Sequence, residues 1–240
     1  MKKNIKTLIF SLALMTGLAP LTTIASTYTP ATFGNSIETL ARQITLPASL
    51  GEKTKTVAVY CQADVLTSGN INAVTCYENN PTVSMQKITE SALRSARFEP
   101  AKIDGAAVPV RMQLRVIYSV SGTQAPIVLL PNLGTLQEKY GADYYAPQER
   151  LDTGDWYAHY AANERADGKL FFAKGKTTRV MADVQVNGTV ETVSTLETAL
   201  RKQGDVNTIE SALRKSRFIP GFVANEPKAM QYVAVVSYQK

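Results

Sequence analysis

From Val57 to Val65 every second residue is apolar. Val57, Val59, Cys61, Ala63 and Val65 share one face, and polar residues such as Gln62 and Asp64 share the other. A period of two predicts a half-buried strand. Ser68-Gly69 then turns the chain, and Ile71 to Tyr77 returns as the second arm of a hairpin. After the hairpin the period changes. Met85, Ile88 and Ala92 fall on one face of a helix that begins near Pro81 and ends at Phe98-Glu99-Pro100. A last alternating run sets Met112, Leu114, Val116 and Tyr118 on one face of a strand from Val110 to Val120.

The same order returns later in the chain. Glu90-Ser91-Ala92-Leu93-Arg94 recurs as Glu210-Ser211-Ala212-Leu213-Arg214, Arg97-Phe98 with Pro100 as Arg217-Phe218 with Pro220, and Tyr118 as Tyr238, all at an offset of 120. Ala63-Asp64-Val65 and Gly69 recur as Ala182-Asp183-Val184 and Gly188 at an offset of 119, so the second copy has gained one residue between hairpin and helix. Its turn is Asn187-Gly188, a strong hairpin signal. Val206, Ile209 and Leu213 form its apolar helical face, and Asn207 with Glu210 reads as a capping box opening that helix. Its last strand runs from Lys228 to Tyr238. Two copies of a unit of about 60 residues are too few for a solenoid. The expected fold class is α+β: two tandem β-β-α-β units, each a small antiparallel sheet covered by one helix.

The segments around the units are not plain linker. Ile37, Leu40 and Ile44 are helix-spaced between Ser26 and Leu50, a lead-in to the first unit. Tyr140, Tyr144, Tyr145, Trp156, Tyr157 and Tyr160 lie between the units, and flexible linkers lack such aromatics. The expected organisation is a signal segment at 1–25, a first unit with lead-in at 26–120, a connector at 121–150, and a second unit with aromatic lead-in at 151–240.

Lys2, Lys3 and Lys6 precede an apolar run from Thr7 to Ala19 that Pro20 closes, and Thr23-Ile24-Ala25 supplies the small residues a signal peptidase reads. The run is shorter than the roughly 20 residues a spanning helix needs. The pattern predicts cleavage after Ala25 and a periplasmic protein with no integral membrane segment; an uncleaved inner-membrane anchor is the alternative. Removing the three lysines takes the formal charge from +6 to +3. That is a mildly basic surface and no argument for nucleic acid.

Cys61 and Cys76 are the only cysteines, and an even count in an exported chain suggests a disulfide. With the turn between Ser68 and Gly69, Cys61 faces Cys76, Ala63 faces Val74 and Val65 faces Asn72. Opposed residues lie about 4.5 to 5.5 Å apart at Cα, within a disulfide's reach. The same rule in the second copy sets Val180 against Thr195.

Arg97-Phe98-x-Pro100-Ala101, then Gly105-x-x-Val108-Pro109-Val110 and an alternating strand, resembles the C-terminal domain of the energy transducer TonB family. Asp64 and Gly69 match that family's hairpin. The second copy matches through Asp183, Gly188, Arg217-Phe218-x-Pro220 and a degenerate Asn225-x-Pro227. The resemblance implies a periplasmic, non-enzymatic domain that binds a protein or peptide of the cell envelope, with the last strand accepting an extended segment by β-strand addition, in the setting of TonB-type transport across the outer membrane. The chain lacks the family's Pro-rich spacer, so the domain carries over and the motor coupling does not. The candidate edge is Val233, Val235, Ser237 and Tyr238 in the second copy, with Arg111 and Arg115 as charges that blunt the edge in the first.

Little else points to chemistry. His159 is the only histidine, which excludes a His-built metal cluster. No Gly-rich phosphate loop and no Cys-x-x-Cys occur, and no catalytic residue, metal or cofactor is expected. Asp152 and Asp155 are the nearest thing to paired acids. Two other readings stand beside the binding module: a small periplasmic enzyme with its site in the aromatic segment 151–172, and a structural envelope protein that forms a homodimer through its edge strands. N-terminal sequencing of the protein recovered from cells is expected to begin at Ser26; an intact Met1 in the membrane fraction would restore the anchor.

Overall fold

The computed structural model describes residues 26–34, 55–77, 83–120, 127–153, 177–198 and 203–237. The signal segment, Ile37, Leu40, Ile44, Pro81, residues 154–176 and Tyr238 lie outside them. The first hairpin is β2 (Lys55–Val65) with β3 (Ile71–Tyr77), followed by helix α1 (Val83–Ser95), a small hairpin of β4 (Ala101–Ile103) and β5 (Ala106–Val108), and the long β6 (Val110–Val120). The second set repeats this order: β9 (Thr177–Val184), β10 (Val190–Glu197), α3 (Gln203–Lys215), β12 (Gly221–Val223), β13 (Glu226–Lys228) and β14 (Met230–Ser237). Between them lie β7 (Ile127–Leu130), the single turn α2 (Gln137–Tyr140) and β8 (Gln148–Arg150); β1 (Tyr28–Thr29) precedes everything, and β11 (Phe218–Ile219) follows α3. The described chain is thus α+β with antiparallel sheets. None of its helices is long and apolar enough to cross a membrane.

In each set the first hairpin strand is central, between the second hairpin strand and the last strand of the unit. In the first set Cys61, Leu114 and their same-face neighbours are fully buried under α1, through Met85, Ala92 and Leu93. In the second, Val180, Ala182, Tyr232 and Ala234 meet Ile209 and Leu213 of α3. Each buried Val, Leu, Ile or Met side chain among these contributes about 1.5–3 kcal/mol by leaving water. Thr89 faces the same core, where its hydroxyl meets the phenol of Tyr118. Burial pushes that phenol up to about 12, partly offset by its hydrogen bond with Thr89, so it stays neutral.

Cys61 and Cys76 are directly opposed and joined by a disulfide, as the register required. Thr195 faces Val180, also as expected. Val65 instead faces Ile71, because a bulge after Asp64 absorbs one residue. The residue gained in the second copy is accommodated the same way. The register of β10 slips between Thr195 and Glu197, and Leu196 stands 53% exposed. The capping box is corrected too. α3 begins at Gln203, so Asn207 lies inside it, and Glu210 accepts from the hydroxyl of Thr195.

One contact recurs at the same place in both units. Gly69 and Gly188 sit in their hairpin turns at φ 80° and 74°. Phe98 N donates to Gly69 O, and Phe218 N to Gly188 O, both at 2.9 Å. A Cβ on either glycine would lie 2.1 or 2.0 Å from the carbonyl oxygen of Phe98 or Phe218. The turn is therefore clasped to the segment that leaves the helix, and only glycine fits.

Alanine at Gly69 or Gly188 is expected to cost on the order of 3 kcal/mol, because strain at positive φ adds to a main-chain collision. Gly105, at φ 81° with open space around its Cβ position, serves as the control. Its alanine variant should lose about 1–2 kcal/mol, the backbone strain alone. Urea denaturation compares the three; equal losses would remove the clasp.

Candidate interaction edge

A strand at the end of a sheet offers one row of unpaired N–H and C=O groups. β6 was expected to be such an edge, and it is not. β7 pairs with it from Arg115 to Tyr118, and β8 pairs at Val110 and Arg111. The apolar Ile127-Val128-Leu129-Leu130 of the connector is the local reason, since Leu129 and Leu130 are buried once added there. Arg111 and Arg115 therefore do not guard an open edge. Arg115 is half-buried and donates to Gln137 Oε1 at 2.7 Å. It also lies against Gly134, where a Cβ would fall 2.3 Å from its Nη1.

Arg111 is buried and chelates Asp64, Nε to Oδ1 at 2.7 Å and Nη2 to Oδ2 at 2.8 Å. The two residues are directly opposed across β2 and β6. Burial disfavours the guanidinium's charge, but Asp64, then Glu149 and Tyr232, more than compensate, and its pKa lies above the ordinary value. Glu149, 1% exposed on β8, accepts from Ser216 Oγ at 2.8 Å and lies 3.5 Å from the Tyr232 hydroxyl. One buried polar seam therefore joins the first sheet, the connector and the second unit. Beside it, Gln148 holds the main chain of Ala31 at both N (2.7 Å) and O (2.8 Å). β8 also pairs with β11 and so ties β6 to the second unit.

The second copy is built differently. Asp183, the counterpart of Asp64, faces Gln231 in place of an arginine, and Gln231 is exposed. β14 pairs with β9 along its whole length and, among the described residues, with no strand on its other side. Val233 is half-buried and Val235 is 7% exposed; Ser237 ends the strand opposite Thr177. The first unit touches this strand directly, because Gln113 Nε2 donates to the main-chain oxygen of Val233 at 2.6 Å. Gln113, Gln148 and Glu149 carried no sequence signal. Their hydrogen bonds to Val233, Ala31 and Ser216 span 67 to 120 positions.

The described residues hold no group of three metal-ligating side chains. Asp152 is paired with Arg150 at 2.7 Å, and that hydrogen bond holds its carboxyl below the usual range, so it is an ion pair in this structure. A groove of about 320 Å³ opens between α2 and the second hairpin, with Tyr140, Asp183, Glu191 and Gln231 among its walls.

Replacing Arg111 with Met would leave Asp64 and Glu149 buried without their cation, at a cost of about 3–5 kcal/mol. Gln231→Met, at the equivalent exposed position, should change stability by less than about 0.5 kcal/mol. Paired urea titrations decide; similar losses at both sites would show that the buried seam has no special weight.

Comparison with known protein-family models, with curated proteins and with solved structures finds no match to this chain.

Proposed function

We propose that this chain is a non-enzymatic protein-binding module of the periplasm, two tandem units resembling the TonB C-terminal domain. It captures an extended segment of an envelope partner by β-strand addition to the second unit, in the setting of TonB-type transport. The observation that carries this reading is a contrast between the two units. In the first, the chain closes its own sheet with β7 and β8 on one side, while Glu90 and Arg94 of α1 reach the main chain of β3 on the other. In the second, β14 ends its sheet with no further strand among the described residues. The docking of β7 onto β6 is itself strand addition, carried out within one molecule.

The hydrogen bond from Gln113 to Val233 favours a second reading, a structural protein whose second edge is guarded by the first unit. The two readings separate at Val235. Val235→Pro removes a backbone donor from the strand. With a native circular dichroism spectrum, that variant should capture at least about tenfold less of the partner cross-linked to the wild type in intact cells. Undiminished capture would sink strand addition at β14 and leave the structural reading.

A further inference from the structure

Beyond β14, we infer that the outer side of β10 is a separate strand-accepting edge and that it takes an extended, basic segment of a partner protein. The two copies differ at this edge in a way that opens it. In the first unit, Cys76 N donates to Glu90 Oε1 at 2.8 Å and Arg94 Nη2 donates to Val74 O at 3.1 Å. Two side chains of α1 thus occupy the outward N–H and C=O of β3. Thr195, Glu210, Val193 and Arg214 hold the matching positions in the second unit. There the Thr195 hydroxyl takes the Glu210 carboxylate at 2.6 Å, and Arg214 is exposed. Among the described residues, nothing is bonded to the outward N–H of Thr195 or the outward C=O of Val193.

β10 contains no lysine and no proline, two residues that commonly blunt an edge, and its glutamates and register shifts sit toward its ends. Its register shifts lie at Val190/Thr192 and at Thr195/Glu197. They bound a regular stretch of four residues, 192–195, which suits a short segment better than a long self-paired sheet.

Charge names the occupant. Glu191 and Glu197 stand exposed at the two ends of β10, with Asp183 beside it on β9 and Glu210 above it on α3. Among the described residues the cations beside them are Arg179, paired with Glu197 at 3.1 Å, Arg214 on α3, and Lys139 in the groove that Asp183 and Glu191 line. The chain as a whole is +6, so this local acidity runs against the net charge. The groove by Asp183 and Glu191 offers the Tyr140 ring and the Met230 side chain to the stem of a lysine or arginine and the carboxylates to its head. Lys139, also in the groove, lies 5.0 Å from the centre of the Tyr140 ring.

The probe is a fluorescein-labelled decapeptide of alternating valine and lysine, offered to the whole mature chain. Anisotropy should report binding, the valine–glutamate counterpart should not bind, and N-methylation of alternate residues should abolish binding. Hydrogen exchange should slow at Thr195 on binding. Glu191→Lys is expected to weaken binding about fivefold, and Thr195→Pro, checked by circular dichroism, to abolish it. The proposal is overturned if the lysine peptide does not bind, if the N-methylated or glutamate peptide binds equally, or if a folded Thr195→Pro chain still binds. Protection at Val235 in place of Thr195 would overturn it while leaving the β14 reading intact. A peptide-free dimer that Thr195→Pro dissociates would assign the edge to a second copy of this chain and equally end the proposal.

Discussion

The clasp between a turn glycine and the phenylalanine that leaves the helix is the constraint on which both units depend. A three-stranded sheet with one helix has a weak point where the helix ends and the chain must return to the sheet. Here the returning residue bonds to the hairpin turn, at Phe98 with Gly69 and at Phe218 with Gly188. The hairpin, the helix and the last strand are thereby placed by one local contact. It also explains why the glycine and the Arg-Phe-x-Pro segment recur together although about 29 residues separate them in each copy. They are two halves of one interaction.

On this common frame the copies have diverged by small exchanges with large effects. Arg111 opposite Asp64 draws the first sheet's outer face into a buried polar seam, whereas Gln231 opposite Asp183 leaves the second sheet's face exposed. Phe218 points into the second core while its neighbour Ile219 is buried in the first, so the two cores meet across two consecutive residues. The expected boundary near residue 150 therefore falls on β8, a strand shared between the first sheet and the second unit.

What could be read from the chain was whatever short-range periodicity encodes. The Cys61–Cys76 register followed from a period of two and a turn, and the bounds of β6 from alternation alone. The long-range stitches were not readable. β8 is three polar residues, Gln148-Glu149-Arg150, and it is a strand because main-chain partners exist on both sides of it. Asn207 with Glu210 imitates a helix start, but Val206 already belongs to the apolar face, and the helix extends one turn further upstream. Bulges at Asp64 and Leu196 shift a register by one residue without leaving a mark in the pattern. The candidate edge was legible as a strand. Its contact with Gln113 was not, since a side chain reaching 120 positions along the chain has no local signature.

The segment 26–34 has a consequence for how the molecule is made. β1 lies on β4, Ala31 is held by Gln148, and the Tyr28 hydroxyl donates to Asn187 O at 2.9 Å. Synthesis proceeds from the N-terminus at about 5–20 residues per second. The partners of Ala31 and Tyr28 about 120 and 160 positions downstream therefore emerge roughly 6 to 30 seconds later. Phe33 meets Phe98, and β1 meets β4, about 65 to 75 positions on, before Ala31 can meet Gln148. The N-terminal segment is thus secured in stages, and the tie from Tyr28 to Asn187 forms only after the turn of the second hairpin has been made.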